Sequence, residues 1–168
     1  MLALLQAFGG ELEKISLQKL LFLFSRQQNE KSFHFVPYKF GCYSFQANAD
    51  MGTLTKYKQV EDSDNTWKKT DPSDYIRSLK LKDQAAINYI RNTYNMFSKE
   101  DLIELTYKNY PYYAINSTIA EKILNKEEIA RIDKQKSYKT EIALFTIGYE
   151  GVTLEEYLNK LIVDGIAV

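Results

Sequence analysis

Between Leu17 and Phe24 the chain reads Leu-Gln-Lys-Leu-Leu-Phe-Leu-Phe, and this apolar run constrains the fold more than any other stretch. Leu17, Leu20, Leu21 and Phe24 fall at the i, i+3, i+4, i+7 spacing of a helix face, while Phe22 and Leu23 widen the apolar surface around the cylinder. A helix with so little polar surface has to be buried on more than one side, so the rest of the chain must supply a core around it. At 168 residues, 45% of them hydrophobic, the chain is long enough to do so. No window reaches the roughly 18 consecutive apolar residues of a membrane-spanning helix, so none is expected.

The same spacing links Met1, Leu4, Leu5 and Phe8 into a short first helix, which Gly9-Gly10 ends. Ser16 is the expected cap of the second helix. Phe33, Phe35, Tyr38, Phe40, Tyr43 and Phe45 form a β-favouring aromatic stretch, broken by Pro37 and Gly41, that predicts one or two short strands. A helical pattern follows toward Tyr57, and the polar residues 60–74 predict a loop or a two-stranded wing. Ala86, Ile87, Ile90, Tyr94 and Phe97 share one helix face. Ser98-Lys-Glu-Asp101 predicts the cap and acidic first turn of another helix, which Pro111 stops. Residues 112–124 return to a helical pattern, and residues 125–140 read as a helix followed by a linker. Beyond Glu141 the pattern becomes strand (142–147), turn (148–151), amphipathic helix (153–163) and the start of a second strand (166–168), the beginning of a βαβ unit.

The 22 basic and 22 acidic side chains give a formal net charge of zero, and only Arg26, Arg77, Arg91 and Arg131 among the basic residues are arginines. Bidentate contacts to phosphates and guanine edges favour Arg, so composition does not point to nucleic acid. Residues 1–58 carry a local charge of +3. With Cys42 as the single cysteine and His34 as the single histidine, the chain cannot assemble a Cys/His zinc site from its own residues. The apolar N-terminus lacks the basic start and cleavage site of a secretory signal, which makes the cytoplasm the expected location.

Two groups of motifs resemble known families. Phe145-Thr-Ile-Gly-Tyr-Glu-Gly151, followed by Leu154-Glu-Glu-Tyr-Leu-Asn-Lys-Leu161, resembles the opening strand, turn and helix of the bacterial domain-of-unknown-function family 488. The preceding part, with Leu17–Phe24, Phe35-Val-Pro-Tyr-Lys-Phe-Gly41 and Tyr110-Pro-Tyr-Tyr-Ala-Ile-Asn-Ser117, looks like the N-terminal extension of some of its members. Its Leu-Gln-Lys-Leu-Leu helix and Tyr-x-x-Gly-x-Tyr turn are also similar to the Panacea, or antitoxin SocA-like, domain. The second resemblance implies a mostly helical adaptor or toxin-neutralising module acting through protein contacts, with a winged-helix-like outline as one form it could take. Neither implies a catalytic residue in this chain.

Candidate sites are few. The aromatic residues Tyr38 and Tyr43 beside Lys39, and Tyr110, Tyr112 and Tyr113 near Lys108, are candidate binding residues; the competing reading is a core flanked by half-buried tyrosines. Gly148 and Gly151, after a strand and before a helix, are candidate anion-binding positions, although a tight turn needs the same glycines and Glu150 would repel an anion. His34 and Cys42 could meet across a hairpin as base and nucleophile, but no third orienting residue accompanies them, and Cys42 reads as a small core residue. In a helix-turn-helix made of the first two helices, only Gln18, Lys19 and Arg26 could face bases, so the second helix reads as core. Asn116-Ser-Thr118 matches a glycosylation acceptor and is discounted for a cytoplasmic chain. Glu127-Glu128 and Glu155-Glu156 read as solvated helix faces.

The expected fold is α+β: a mainly helical module with a small β hairpin or wing over residues 1–140, then the first strand and helix of an α/β domain over residues 141–168 that the chain carries only in part. The expected function is that of a non-catalytic protein-binding or regulatory module attached to an α/β domain, with no metal and no cofactor. The alternative is part of a nucleic-acid-binding or nucleic-acid-processing protein whose active site lies beyond residue 168. A protein partner is expected ahead of nucleic acid, and no membrane.

Overall fold

Leu2–Ala7 form α1, and Gly9 and Gly10 leave it with φ of +86° and +93°, the left-handed region that a side chain disfavours. This is the stop expected from the sequence. It turns the chain into a strand that the sequence does not announce, β1 (Glu11–Glu13), and directly into α2 (Lys14–Ser25). The helix cap is Glu13, not Ser16, which is buried inside the helix. The computed structural model describes residues 1–136, 144 and 146–166.

After α2 come the hairpin strands β2 (Val36–Tyr38) and β3 (Gly41–Tyr43), then α3 (Phe45–Lys56), β4 (Val60–Asp62), β5 (Thr66–Lys69), α4 (Leu81–Tyr94) and α5 (Lys99–Asn109). Ser98 and Asp101 cap α5 reciprocally, as expected: Asp101 accepts from the Ser98 backbone N–H at 2.9 Å, and the Ser98 hydroxyl accepts from the Asp101 N–H at 3.1 Å. Pro111 does end α5, but the helical pattern of residues 112–124 becomes a 3-10 turn (Pro111–Ala114), a bend and the four-residue α6 (Ala120–Ile123). Next come α7 (Lys126–Asp133), whose Asn125 and Glu128 form a capping box, and α8 (Leu154–Val163), whose Thr153 and Glu156 form another. The expected strands over 142–147 and 166–168 fall largely outside the described residues. The architecture is α+β, mainly helical with two small antiparallel sheets, as expected.

The chain forms two compact units, Met1–Phe33 with Ser44–Ile103, and His34–Tyr43 with Glu104–Val168. The three breaks follow residues 33, 43 and 103, whereas the boundary expected from the sequence lies between residues 140 and 141. The hairpin belongs with the C-terminal part, and α8 packs against β2 within that second unit.

In the first unit α1 packs on α2, α4, β1 and β5, and α2 packs on α4 and β1. The sheet runs β1-β5-β4, all antiparallel, with Leu12 opposite Trp67 and Lys68 opposite both Glu11 and Glu61, so one basic residue lies in register between two acids. Within this unit the elements follow as α1, β1, α2, α3, β4, β5 and α4, and β4–β5 is the two-stranded alternative expected over residues 60–74. Residues 26–44, which include the β2–β3 hairpin, separate α2 from α3. α3 is capped by Ser44, whose hydroxyl accepts from the Ala47 N–H.

Candidate functional site

The second unit holds every candidate binding residue named above. The 3-10 turn Pro111–Ala114 packs against both β2 and β3, so two aromatic stretches about 70 residues apart in sequence join in one place. The joint is made by the segment Asn116-Ser-Thr118. Asn116 Nδ2 donates to the Pro37 carbonyl at 3.3 Å, and the Thr118 N–H and hydroxyl both donate to the Lys39 carbonyl, at 3.0 and 3.2 Å. Ser117 accepts from the Ile119 N–H at 3.2 Å and shares a hydrogen bond with the Tyr107 hydroxyl at 2.7 Å. Polar side chains that read as a modification motif thus fix the tip of a hairpin.

What the hairpin presents is Tyr38, Lys39 and Phe40. Tyr38 is 37% and Phe40 42% exposed, Lys39 is exposed, and its ammonium lies 5.9 Å from the Tyr38 ring centre. The Tyr38 and Tyr43 rings stand 5.1 Å apart, tilted by 37°. Tyr43 is half-buried, and burial, with Tyr38 beside it, pushes its hydroxyl pKa up. Phe40 was not among the expected binding residues. Its signal was there, since a large apolar side chain between Tyr38 and Gly41 sits where a two-stranded hairpin must turn and cannot bury it.

Tyr110, Tyr112 and Tyr113 are half-buried and serve differently. Tyr112 meets Tyr113 edge-on at 5.2 Å, and its hydroxyl donates to Asn159 Oδ1 of α8 at 2.8 Å; Asn159 Nδ2 in turn donates to the Phe35 carbonyl at 2.7 Å. Asn159 therefore clamps α8 to the base of the hairpin. Burial raises the Tyr112 hydroxyl to about 12, and burial does the same for Tyr107 against the opposing Ser117 hydrogen bond. Replacing Asn159 by Ala removes both bonds, and hydrogen exchange of the α8 amides is expected to rise about 5- to 30-fold, corresponding to about 1–2 kcal/mol of local opening. Unchanged exchange in α8 would show that the clamp does not hold it.

The raised tyrosines also fix a pH dependence. In the unfolded chain both ionise near pH 10, in the folded one near 12, so across that interval the unfolded state holds fewer protons and stability falls as pH rises. Ultraviolet titration is expected to show Tyr107 and Tyr112 ionising late, as the second unit opens. Phe substitutions at 107 and 112 identify the late signals.

The remaining candidates are placed as follows. Cys42 is buried, near enough to Tyr107 to act on its hydroxyl, whereas His34 Nδ1 lies 3.6 Å from Glu156 Oε1. Gly148 and Gly151 are exposed ahead of α8, and Gly151 has φ +73°. The first turn of that helix is already served by its own side chains: Glu156 Oε2 accepts from the Thr153 N–H and hydroxyl, and Thr153 Oγ1 accepts from the Glu156 N–H. With Glu155 and Glu156 in that turn, the local charge is negative. Glu155 is buried rather than solvated, and Glu128 spends its carboxylate on the α7 cap and on Lys108 at 3.2 Å; bonding to the Asn125 N–H, with Lys108 adding, holds its pKa low.

In the first unit, Gln18 and Lys19 are buried. Gln18 Nε2 donates to the Ser44 carbonyl at 3.1 Å and its Oε1 accepts from the Ser44 N–H at 2.9 Å, so α2 is a core helix that positions the start of α3. On α3, Gln46, Asn48, Thr53 and Lys56 are exposed. From Phe45 to Lys69 four lysines match four acids, so α3 and β4–β5 have no positive excess for phosphates. Among the described residues no group of three or more His, Cys, Asp or Glu side chains could hold a metal ion, and no helix is long and apolar enough to cross a membrane. Comparison of the chain with family models, curated proteins and solved structures finds no match.

Proposed function

We propose that the chain is a non-catalytic protein-binding or regulatory module of the cytoplasm, and that its contact surface is the hairpin tip Tyr38-Lys39-Phe40. The supporting observation is that Asn116 and Thr118 hold the Pro37 and Lys39 carbonyls while Tyr38 and Phe40 remain 37% and 42% exposed. A fixed aromatic surface loses little entropy on binding, and Tyr and Phe are favoured in interface cores. The resemblance of the Leu17–Leu21 helix and the Tyr38–Tyr43 turn to adaptor-type Panacea domains is in line with this reading. A photo-crosslinking phenylalanine analogue placed at position 40 is expected to trap one protein in cells, whereas the analogue at exposed Lys31 traps none. Equal, diffuse products from both positions would sink the proposal.

A second reading, contact with nucleic acid, is favoured only by the exposed Gln46, Asn48, Thr53 and Lys56 of α3. Titration with random duplex DNA is expected to show no salt-dependent binding, because the balanced charge of α3 and β4–β5 releases few counterions. Tight binding at low salt that weakens about tenfold or more between 50 and 200 mM, and that Lys56→Ala with Lys58→Ala reduces, would reverse the order of the two readings.

A further inference from the structure

No further inference is drawn: the strongest candidate, the solvent face of α4 that leaves Leu81, Tyr89 and, just past its end, Met96 exposed, is an unpartnered helix surface, and nothing in the structure shows what covers it.

Discussion

Phe22→Ala is expected to destabilise the first unit by about 3–5 kcal/mol, the largest single effect predicted for the chain. Phe22 is 1% exposed in the middle of α2, and residues on either side of it, from Ser16 through Ser25, are buried as well. Deleting its ring removes apolar burial and leaves a cavity that α1, α4 and β1 cannot fill without leaving their own contacts. Trp67, the only tryptophan, is buried on β5 in the same unit, so its fluorescence during urea unfolding reports this event separately from the second unit. At an m-value of about 1–3 kcal/mol/M the midpoint should fall by more than about 1 M. Gln27→Ala, on an exposed side chain just past the same helix, should shift it little. A Phe22→Ala midpoint within about 0.3 M of wild type would mean that α2 is not the centre of the core.

The second large effect belongs to Gln18→Leu, expected to cost about 1–3 kcal/mol although Leu is apolar and of similar size. The buried Ser44 N–H loses the Gln18 oxygen it donates to, while the Ser44 carbonyl keeps the Asn48 N–H at 3.2 Å, and a lost partner at a buried group costs about 1–3 kcal/mol. Because Ser44 also caps α3, the loss should reach further than the mutated helix. Hydrogen exchange of Ala47 and Asn48 is expected to accelerate along with the drop in the urea midpoint. Gln46→Leu, on an exposed side chain, is the control. A neutral Gln18→Leu would show that the fork contributes nothing to the placement of α3.

These two variants also mark where the sequence is legible and where it is not. The apolar period of 17–24 says that α2 is buried, and so Phe22 is foreseeable. Gln18 and Lys19 interrupt that period and read as its polar edge; that they are buried follows only from what packs on them, which for Gln18 is a backbone segment 26 residues away. Strand β1 is hidden for the same reason. Glu-Leu-Glu has no β preference of its own and becomes a strand because Leu12 pairs with Trp67 and Thr66 donates to Glu11 at 2.9 Å. Elements whose signal is local were foreseen: the glycine stop after α1, the Ser98–Asp101 cap, the hairpin strands around Pro37 and Gly41, and the amphipathic α8.

The candidate site was half legible. Its tyrosines stand out by density, and the hairpin that carries Tyr38 and Tyr43 follows from the turn residues. Periodicity carried residues 112–124 too far as helix, because it does not register Asn116, Ser117 and Thr118 turning their side chains to backbone groups, the competition that keeps such residues out of helix interiors. Long-range pairing of the turn with the hairpin has no sequence signal in a single chain. Nor does the difference between Tyr38, which lies on the hairpin against Tyr43 and Lys39, and Tyr112, which bonds Asn159.

The most direct test of the central claim is quantitative affinity capture from the source cell lysate with wild-type protein and with the Tyr38→Ala, Phe40→Ala double variant, followed by mass spectrometry. Urea midpoints of both chains are measured first, so that a loss of capture is separated from the stability cost of removing two partly exposed rings. The expected result is one protein retained by wild type and reduced at least tenfold by the double variant, as the loss of two interface-centre aromatics at about 1–2 kcal/mol each requires. A protein retained equally by both chains, or no protein retained by either, would contradict the assignment of the hairpin tip as the contact surface.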